Sequence, residues 1–422
     1  MENEDFKSRS KNGCEGAFTR ERSLPFKSLI VIIAQMAKSG LQREMDKFFK
    51  ELSNADFNIR EITKSAFSKS RKKLKPEAFL ELNDIVNNDF YDDAPYLGYN
   101  NHRLIGVDGS TLELPNHPAT IKEFGQIGFG PNANVKKSMA TISSLYDVAN
   151  YLTLDVQIDS YESSEKDLLL RHLPKMKEGD LLLADRGYPG LAVFFLLKSK
   201  GIQFCIRMVE NWWTQVREFK ESDQQQTQIE ITLPKIQQEQ YREKYGELGE
   251  KMLCRLVKVQ LDNGEIEIIC TSLLDIEKYP IEDFKELYHL RWGIEEGYKM
   301  YKSRINIEAF TGKTPITIKQ DIYAKVFLMS LCAAYAFPIE EKVKKEYLQD
   351  EQRKHCQKIN RTNAVAFCRS MLIAIFIKNK AREAIKAFDD NIKQTREIVR
   401  PDRSFPRNHK KKRRYYMNYK DL

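Results

Sequence analysis

Apolar residues recur at helical intervals through the first part of the chain. Leu29, Ile32 and Met36 fall on one face of a helix, and a second run with the same spacing follows a Ser-Gly break that ends at Gly40. This spacing predicts a helical N-terminal region over residues 1–95.

Within that region, Ser65–Leu74 is crowded with cations and hydroxyls and ends before Pro76. A DNA-facing helix and a merely solvated basic helix both fit this composition, and no clear helix-turn-helix turn accompanies it. We interpret residues 1–95 as a DNA-binding region.

Between residues 96 and 208 the pattern changes to strands and helices in the order β-β-β-α-β-α-β. This order predicts an α/β fold with a mixed sheet flanked by helices. The predicted strands are Arg103–Asp108, Ala140–Val148, Tyr151–Ile158, Leu181–Asp185 and Ile202–Met208, and the predicted helices are a capping-box helix that begins at Ser164-Glu165-Lys166-Asp167 and an apolar helix over Gly190–Lys200.

The first and fourth of these strands each end in an acid, Asp108 and Asp185. If the two strands are neighbours, both carboxylates emerge at the same edge of the sheet. Taken singly, each acid is more commonly a turn residue that caps local amides.

Residues 209–280 form a long interval with its own strand pattern. An Asp-Asn-Gly turn ending at Gly264 predicts a hairpin, and we interpret the interval as an inserted β subdomain. The predicted strands are Thr227–Leu233, Met252–Leu261 and Glu265–Thr271.

The remainder of the chain is predicted to be helical. Val326–Phe337 is almost wholly apolar, which indicates a buried helix at the end of a core segment spanning 281–345. Residues 346–422 form a helical region with a basic tail. From Arg396 to Arg414 the net charge is +7, so most of the +9 of the whole chain lies there. An arm for a polyanion and a solubilising terminus explain this charge equally well.

The 422 residues are 41% hydrophobic, enough for a large core in two to four domains. Seven cysteines occur without any C-x2-C pair, so neither a zinc site nor a disulfide framework is expected. The apolar stretches are too short to span a bilayer. We expect a soluble, cytoplasmic protein.

Tyr288, Arg291, Glu295 and Lys302 are spaced so that one α-helix would place them within an arc of about 60°. A carboxylate among cations and a phenol suits a metal ligand whose neighbours hold phosphate oxygens. The alternative is an ordinary i,i+4 pair of Arg291 and Glu295 on a solvated helix face. Adjacent Glu296 would point about 100° away, and Lys299 would lie near the same strip.

Two acids from strand ends and one from a helix can together hold a pair of magnesium ions about 4 Å apart. Such a pair activates a nucleophile and stabilises the leaving oxygen of an in-line phosphoryl transfer. We therefore predict Asp108, Asp185 and Glu295 as metal ligands and catalytic acids.

Three motifs resemble the signature regions of DDE transposases from bacterial insertion sequences, in the subgroup with the Y-x2-R-x3-E-x6-K pattern. They are V-D-G-S ending at Ser110, L-A-D-R-G-Y ending at Tyr188, and the strip from Tyr288 to Lys302. The resemblance covers roughly residues 100–310. It implies a ribonuclease-H-like core, two Mg²⁺ ions for which Mn²⁺ can substitute, strand cleavage and transfer, and a homodimer acting on element ends and target DNA in the nucleoid.

Carried over to this chain, the resemblance implies that Tyr288, Arg291 and Lys302 contact DNA phosphates, with Lys299 as an additional contact. The inserted β subdomain would contact and reshape the DNA end. Trp212 or Trp213 could stack on a displaced base there, whereas packing of the rings onto the core is favoured for at least one of them.

Three functions fit the sequence. The leading one is a transposase that cleaves terminal inverted repeats and transfers the 3′-hydroxyl ends to target DNA. The others are a catalytically silent repressor that binds element ends and a metal-dependent nuclease that does not transpose.

Overall fold

The computed structural model describes residues 1–399 except Cys14, 20–23, 37–39, 130–134, 210–212, Asn263 and 350–354. The described residues form two compact units. The first unit comprises the described parts of Met1–Asp93, Glu113–Met139 and Met300–Leu422, and the second comprises Ala94–Leu112 and Ala140–Lys299.

The second unit is built on a mixed sheet. Two helices of this unit lie in the crossovers between its parallel strands, and the remaining helices follow later in the chain. The strands are β1 (Leu104–Leu114), β3 (Val135–Asp147), β4 (Leu152–Ser160), β5 (Leu181–Ala184), β6 (Gln203–Arg207), β7 (Gln226–Thr232), β8 (Lys251–Gln260) and β9 (Ile266–Thr271). The helices are α7 (Glu165–His172), α8 (Leu191–Ser199), α9 (Thr214–Glu221), α10 (Lys235–Tyr245), α11 (Asp283–Leu290) and α12 (Gly293–Lys299).

The strand order in this unit is β3-β1-β5-β6-β9-β8-β7, and β4 also pairs with β3. Strands β1, β5 and β6 run parallel, while β3 with β4 and β6 with β9 are antiparallel. This arrangement confirms the predicted α/β fold with a mixed sheet flanked by helices. The parallel strands are connected through α7 and α8, as the alternation of strands and helices indicated.

The three strands predicted as an inserted β subdomain continue the core sheet. Strand β9 pairs with β6 through Cys205 and Thr271, and β8 and β7 extend the sheet beyond β9. The predicted hairpin between β8 and β9 is confirmed, and Gly264 adopts a positive φ of 84° at its turn, where a side chain would be strained. Periodicity located these strands but did not indicate which sheet they join, because strand pairing is a long-range property.

The first unit is mainly helical. Its described helices are α1 (Glu4–Arg9), α2 (Phe26–Gln35), α3 (Leu41–Ser53), α4 (Lys64–Arg71), α5 (Glu77–Asp93), α6 (Pro118–Phe124), α13 (Pro315–Gln349), α14 (Arg361–Phe376) and α15 (Ala381–Gln394). Strand β2 (Gln126–Phe129) pairs with the first residues of β3, and β10 (Gln357–Ile359) pairs with β11 (Arg396–Ile398).

Helix α13 is the central helix of the first unit and packs on α5, α2 and α14. The segment Pro315–Leu348 is long and apolar enough to cross a membrane, but 83% of its apolar window is buried inside the protein. It is therefore accounted for as a core helix, as the apolar run Val326–Phe337 predicted.

A buried polar cluster, here called the Arg71 cluster, connects α4 to α13. It consists of Arg71, Thr311, Gln320 and Asp321. Arg71 Nη2 lies 2.9 Å from Asp321 Oδ1, and both side chains are at most 3% exposed. Gln320 accepts a hydrogen bond from Arg71 Nε at 2.8 Å and donates to the Arg71 and Leu74 carbonyls.

Helix α4 therefore has two different faces. The inner face carries Phe67 and Arg71, which are buried, and the outer face carries the exposed cations Lys64, Lys69 and Lys72. The cationic sequence thus contains one structural arginine among solvated lysines.

Candidate active site

Asp108, on β1, and Asp185, the residue directly after β5, lie beside each other on neighbouring parallel segments. In the register between β1 and β5, Gly106 pairs with Leu183. Asp108 lies two residues further along β1, and Asp185 lies two residues after Leu183, directly past the end of β5. The predicted convergence of the two strand acids is therefore supported by the register of the sheet. The expectation that Asp108 ends its strand is wrong, because β1 continues to Leu114. The strand extends past the end of β5 since it also pairs with β3.

Each acid is oriented by the amide of a nearby glycine. Gly109 N donates to Asp108 Oδ1 at 2.8 Å, and Gly187 N donates to Asp185 Oδ1 at 2.8 Å. One oxygen of each carboxylate is thus fixed by the backbone.

The pKa of Asp108 is raised to about 6. Burial is the largest cause and the carboxylates of Asp185 and Glu165 add to it, while the Gly109 amide and Arg291 oppose it. Burial and Asp185 likewise raise the pKa of Glu165. The electrostatic environment of this site therefore disfavours negative charge, as expected where carboxylates gather with too little positive charge between them.

Glu165 is the residue that sequence reasoning missed. It is the first residue of α7, whose predicted cap is confirmed, since the Ser164 hydroxyl accepts a hydrogen bond from the amide of Asp167. A Cβ atom placed on Gly109 would lie 2.6 Å from Glu165 Oε1, and one on Gly187 would lie 2.7 Å from Glu165 Oε2. We call Asp108, Glu165 and Asp185 the carboxylate site.

The signal for Glu165 was present in the chain but was interpreted locally. An acid in the first turn of a helix is ordinary, because it complements the helix dipole. Its proximity to the two strand acids depends on where α7 begins relative to β1 and β5, which the sequence pattern does not specify.

Helix α7 is held in place at its other end by a buried histidine. His172 Nδ1 lies 2.7 Å from Asp155 Oδ2, and His172 Nε2 lies 3.0 Å from the Ser143 hydroxyl. Burial alone would raise the pKa of Asp155, but the hydrogen bond with His172 holds it below its ordinary value. This contact fixes α7 to β3 and β4.

The predicted single helix through Tyr288, Arg291, Glu295 and Lys302 is wrong. The chain instead forms α11, a turn at Arg291 and Trp292, then α12, and finally a π-helical segment at Met300–Arg304. At the turn the Arg291 amide bonds to the Tyr288 carbonyl, a tighter i,i+3 connection than in an α-helix.

Three of the four strip residues nevertheless stay together. Arg291 Nη2 lies 3.4 Å from Glu295 Oε1, and the Arg291 guanidinium lies 5.5 Å from the centre of the Tyr288 ring. Tyr288 and Arg291 are buried, and neither Tyr288 Oη nor Arg291 Nε has a hydrogen-bond partner among the described residues. Burial raises the pKa of Tyr288, with Glu267 and Asp185 adding to the shift and Arg291 opposing it.

Helix α12 is hydrogen-bonded to β1 at the residue Asp108. Tyr298 Oη donates to the Asp108 carbonyl at 2.9 Å and lies 3.2 Å from the Ile142 carbonyl. Close packing is possible because α12 presents glycines to β3: a Cβ on Gly297 would lie 3.2 Å from the Tyr146 ring. Glu295 is therefore carried by a helix held against β1.

Arg291 interacts both with Glu295 and with one of the strand acids. It bonds to Glu295 and is close enough to Asp108 to lower the pKa of that carboxyl. Within the described part of the chain, no three histidine, cysteine, aspartate or glutamate side chains lie at the mutual distances of a preformed metal site.

The remaining predicted contacts are dispersed. Lys299 is exposed on α12 and pairs with Glu296, while Lys302 is exposed on the π-helical segment of the first unit. Trp213 precedes α9 and makes an edge contact with Phe194 at 5.7 Å, which fits the packing interpretation. Trp212 and the tail from Arg400 onwards lie outside the described residues.

Comparisons with known proteins converge on one group. Residues 99–332, which include Asp108, Asp185 and Glu295, match the family described as "Transposase DDE domain". The transposase InsG for insertion sequence element IS4 of Escherichia coli (strain K12) is 21% identical over 335 residues, covering 77% of this chain and 73% of that protein. The transposase for insertion sequence element IS231E of Bacillus thuringiensis subsp. finitimus is 21% identical over 280 residues, covering 57% of each.

Among solved structures, a piggyBac transposase in a synaptic complex with hairpin DNA aligns with a TM-score of 0.43 and 9% identity. The alignment covers 97% of this chain and 84% of that chain.

Proposed function

Because this chain belongs to the transposase DDE domain family, we propose that it cleaves DNA at the terminal inverted repeats of an insertion sequence and joins the freed 3′-hydroxyl ends to target DNA. The observation that carries the proposal is the placement of Asp108 on β1 beside Asp185, the residue directly after the parallel strand β5. Helix α12, which carries Glu295, is held against the Asp108 backbone through Tyr298.

The donor set fits a hard divalent cation. Carboxylate oxygens are the ligands that Mg²⁺ and Mn²⁺ prefer, and a cation would favour the ionised form of Asp108, whose pKa is raised by burial and by the neighbouring carboxylates. When bound, a pair of such ions would supply activation of the attacking hydroxyl and stabilisation of the leaving oxygen. Asp108 and Asp185 would hold the ions, with Glu295 as the third acid of the proposed set.

The surrounding residues have distinct proposed roles. Arg291 pairs with Glu295 and lowers the pKa of Asp108, and its buried Nε has no hydrogen-bond partner among the described residues. Its proposed role is to bind a phosphate oxygen of the DNA. Tyr288 supports the Arg291 guanidinium through its ring and offers its unpaired hydroxyl as a second donor. Lys299 and Lys302 are exposed and would contact the DNA backbone.

The proposal is tested by cleavage of a duplex that carries the inverted repeats flanking the gene, with Mg²⁺ as the added ion. Asp108→Asn, Asp185→Asn and Glu295→Gln should each lower cleavage by about a thousandfold or more while leaving DNA binding measurable. Glu296→Gln is the matched control, since this exposed acid adjoins Glu295 on the same helix, and it should retain cleavage.

The same assay separates the competing functions. Joined products from the wild-type protein support transposition. Binding of repeat ends without any cutting would indicate a silent repressor, and general degradation of unrelated DNA would indicate a nuclease. Wild-type cleavage by all three acid variants would contradict the proposed site.

A further inference from the structure

Two glycines next to the carboxylate site leave room for a neighbouring side chain, and their backbone conformation does not require glycine. Neither Gly109 nor Gly187 adopts a positive φ, so neither position requires glycine for its backbone. At both positions the space that a Cβ would fill is adjacent to a carboxylate oxygen of Glu165, at 2.6 and 2.7 Å. The Cβ position of Gly187 is also only 3.1 Å from Asp185 Oδ1. Glu165 therefore extends between the two strands and reaches the side of Asp185.

A second observation at the same place is a buried polar group with no partner. Tyr188 is fully buried, and its hydroxyl has no hydrogen-bond partner among the described residues. Burial raises the pKa of Tyr188 well above its ordinary value, and Glu165, Asp108 and Asp185 all add to the shift. An unpaired buried hydroxyl is costly unless a ligand or ordered group satisfies it. The hydroxyl lies within the electrostatic reach of the same three carboxylates.

The simpler explanation of Glu165 is that an acid at the start of α7 complements the helix dipole. Asp167 serves that purpose in the same turn and remains exposed to solvent. Dipole complementation gives no reason for Glu165 to lie half-buried between two other acids, where like charges oppose it.

We propose that Glu165, in addition to Glu295, becomes a carboxylate ligand when Asp108 and Asp185 bind a divalent cation. Before the ion binds, these side chains do not lie at the distances of a formed metal site, so binding must draw their oxygens together. The inference rests on the proposed function, because it uses the same metal site. Its structural basis is that Glu165 reaches both strand acids through the gaps left by Gly109 and Gly187, from a helix anchored at His172. Glu165 would bind the ion through oxygen, as hard cations require.

The test is Mn²⁺ binding by the full-length protein without DNA, measured by the electron paramagnetic resonance signal of free Mn²⁺. Asp108→Asn and Asp185→Asn should abolish the tightest binding step, and Glu165→Gln should weaken it by about tenfold or more. Asp167→Asn is the matched control, because it removes an acid from the same helical turn outside the site. It should bind Mn²⁺ as the wild type does.

A second variant addresses the geometry directly. Gly109→Ala places a methyl group 2.6 Å from Glu165 Oε1, closer than such atoms can approach, while leaving every carboxylate in the chain. It should therefore displace Glu165 and weaken Mn²⁺ binding similarly. Combining it with Glu165→Gln should add little further loss, since both changes remove the same interaction.

The outcomes distinguish this inference from the proposed function. Wild-type Mn²⁺ affinity in Glu165→Gln, together with lost affinity in Asp108→Asn and Asp185→Asn, would overturn the role of Glu165 and leave the metal site standing. Wild-type affinity in Asp108→Asn and Asp185→Asn would overturn the metal site and Glu165 with it. Circular dichroism of each variant excludes misfolding as the cause of a loss.

Discussion

The Arg71 cluster and the carboxylate site both contain buried or half-buried charged groups. The charges are paired in the Arg71 cluster and largely unpaired in the carboxylate site. In the Arg71 cluster the carboxylate of Asp321 has a guanidinium partner and hydrogen bonds from Thr311. In the carboxylate site three acids lie together, and the Arg291 guanidinium offsets only part of their repulsion. The satisfied cluster is what a structural junction requires, whereas the uncompensated one is an arrangement that a protein retains for binding or catalysis.

Removing a charge should therefore change the free energy of unfolding in opposite directions at the Arg71 cluster and at the carboxylate site. Although burial by itself would raise it, Arg71 and Lys325 hold the pKa of Asp321 below its ordinary value. The pKa of Asp108 is instead raised to about 6. Loss of Arg71 should therefore destabilise the protein, and loss of the Asp108 charge should stabilise it when metal is absent.

The largest expected effect on stability comes from breaking the Arg71 cluster. Arg71→Ala leaves Asp321 buried without its partner and should lower the free energy of unfolding by about 3–5 kcal/mol. Urea unfolding at pH 7 measures it, with the exposed neighbour Lys72→Ala as control. Because the folded pKa of Asp321 is lowered, this stabilisation is present above the ordinary value of 3.8 and is lost as the pH falls through the folded pKa. An Arg71→Ala protein as stable as the control would show that the junction contributes little.

A smaller effect of opposite sign is expected at Asp108. Its raised pKa means that the folded protein holds the proton more tightly than the unfolded chain, so the ionised form destabilises the fold. Asp108→Asn should raise the free energy of unfolding of the metal-free protein by about 1–3 kcal/mol above pH 6. The gain should shrink as the pH falls below 6 and vanish below the ordinary value of 3.8. Thermal unfolding with a chelator present measures it. A loss of stability at pH 7 would show that burial and the neighbouring acids do not disfavour the ionised form of Asp108.

The smallest expected effect on stability comes from a change at Tyr298. This side chain carries no charge and positions α12 through its hydroxyl. Tyr298→Phe removes a hydroxyl that bonds to the Asp108 and Ile142 carbonyls and should cost about 1 kcal/mol. Cleavage should fall by about tenfold, because a small shift of α12 moves Glu295 relative to the strand acids. Affinity for the DNA ends should stay the same. Unchanged cleavage would indicate that the hydroxyl does not help to place Glu295.

Local patterns in the chain were sufficient for much of the fold. The alternation of strands and helices indicated the mixed sheet, and the β8–β9 turn and the apolar run of α13 were recognisable because turns and buried helices depend on nearby residues. The sequence also identified the two strand acids, and the register of β1 and β5 supports their predicted proximity, because it brings Asp108 and Asp185 together. The assignment of metal and DNA contacts to these residues remains a prediction.

The properties that required the folded chain all depend on contacts between residues far apart in sequence. Helical spacing correctly predicted that Tyr288, Arg291 and Glu295 are neighbours. It did not predict that the helix is broken at Arg291 and Trp292, where α12 begins and packs through Gly297 and Tyr298 on β3 and β1. Arg71 looks like one more cation of a basic helix until Asp321, 250 residues away, is placed beside it. Glu165 looks like an ordinary acid in the first turn of a helix until the fold places it beside Gly109 and Gly187, next to the two strand acids. The sequence by itself indicated most of the strands and helices and the chemical groups they carry, but not the break at Arg291 and Trp292 or the full length of β1. Only the tertiary structure decided which of those groups meet, because burial and charge repulsion act through space rather than along the chain.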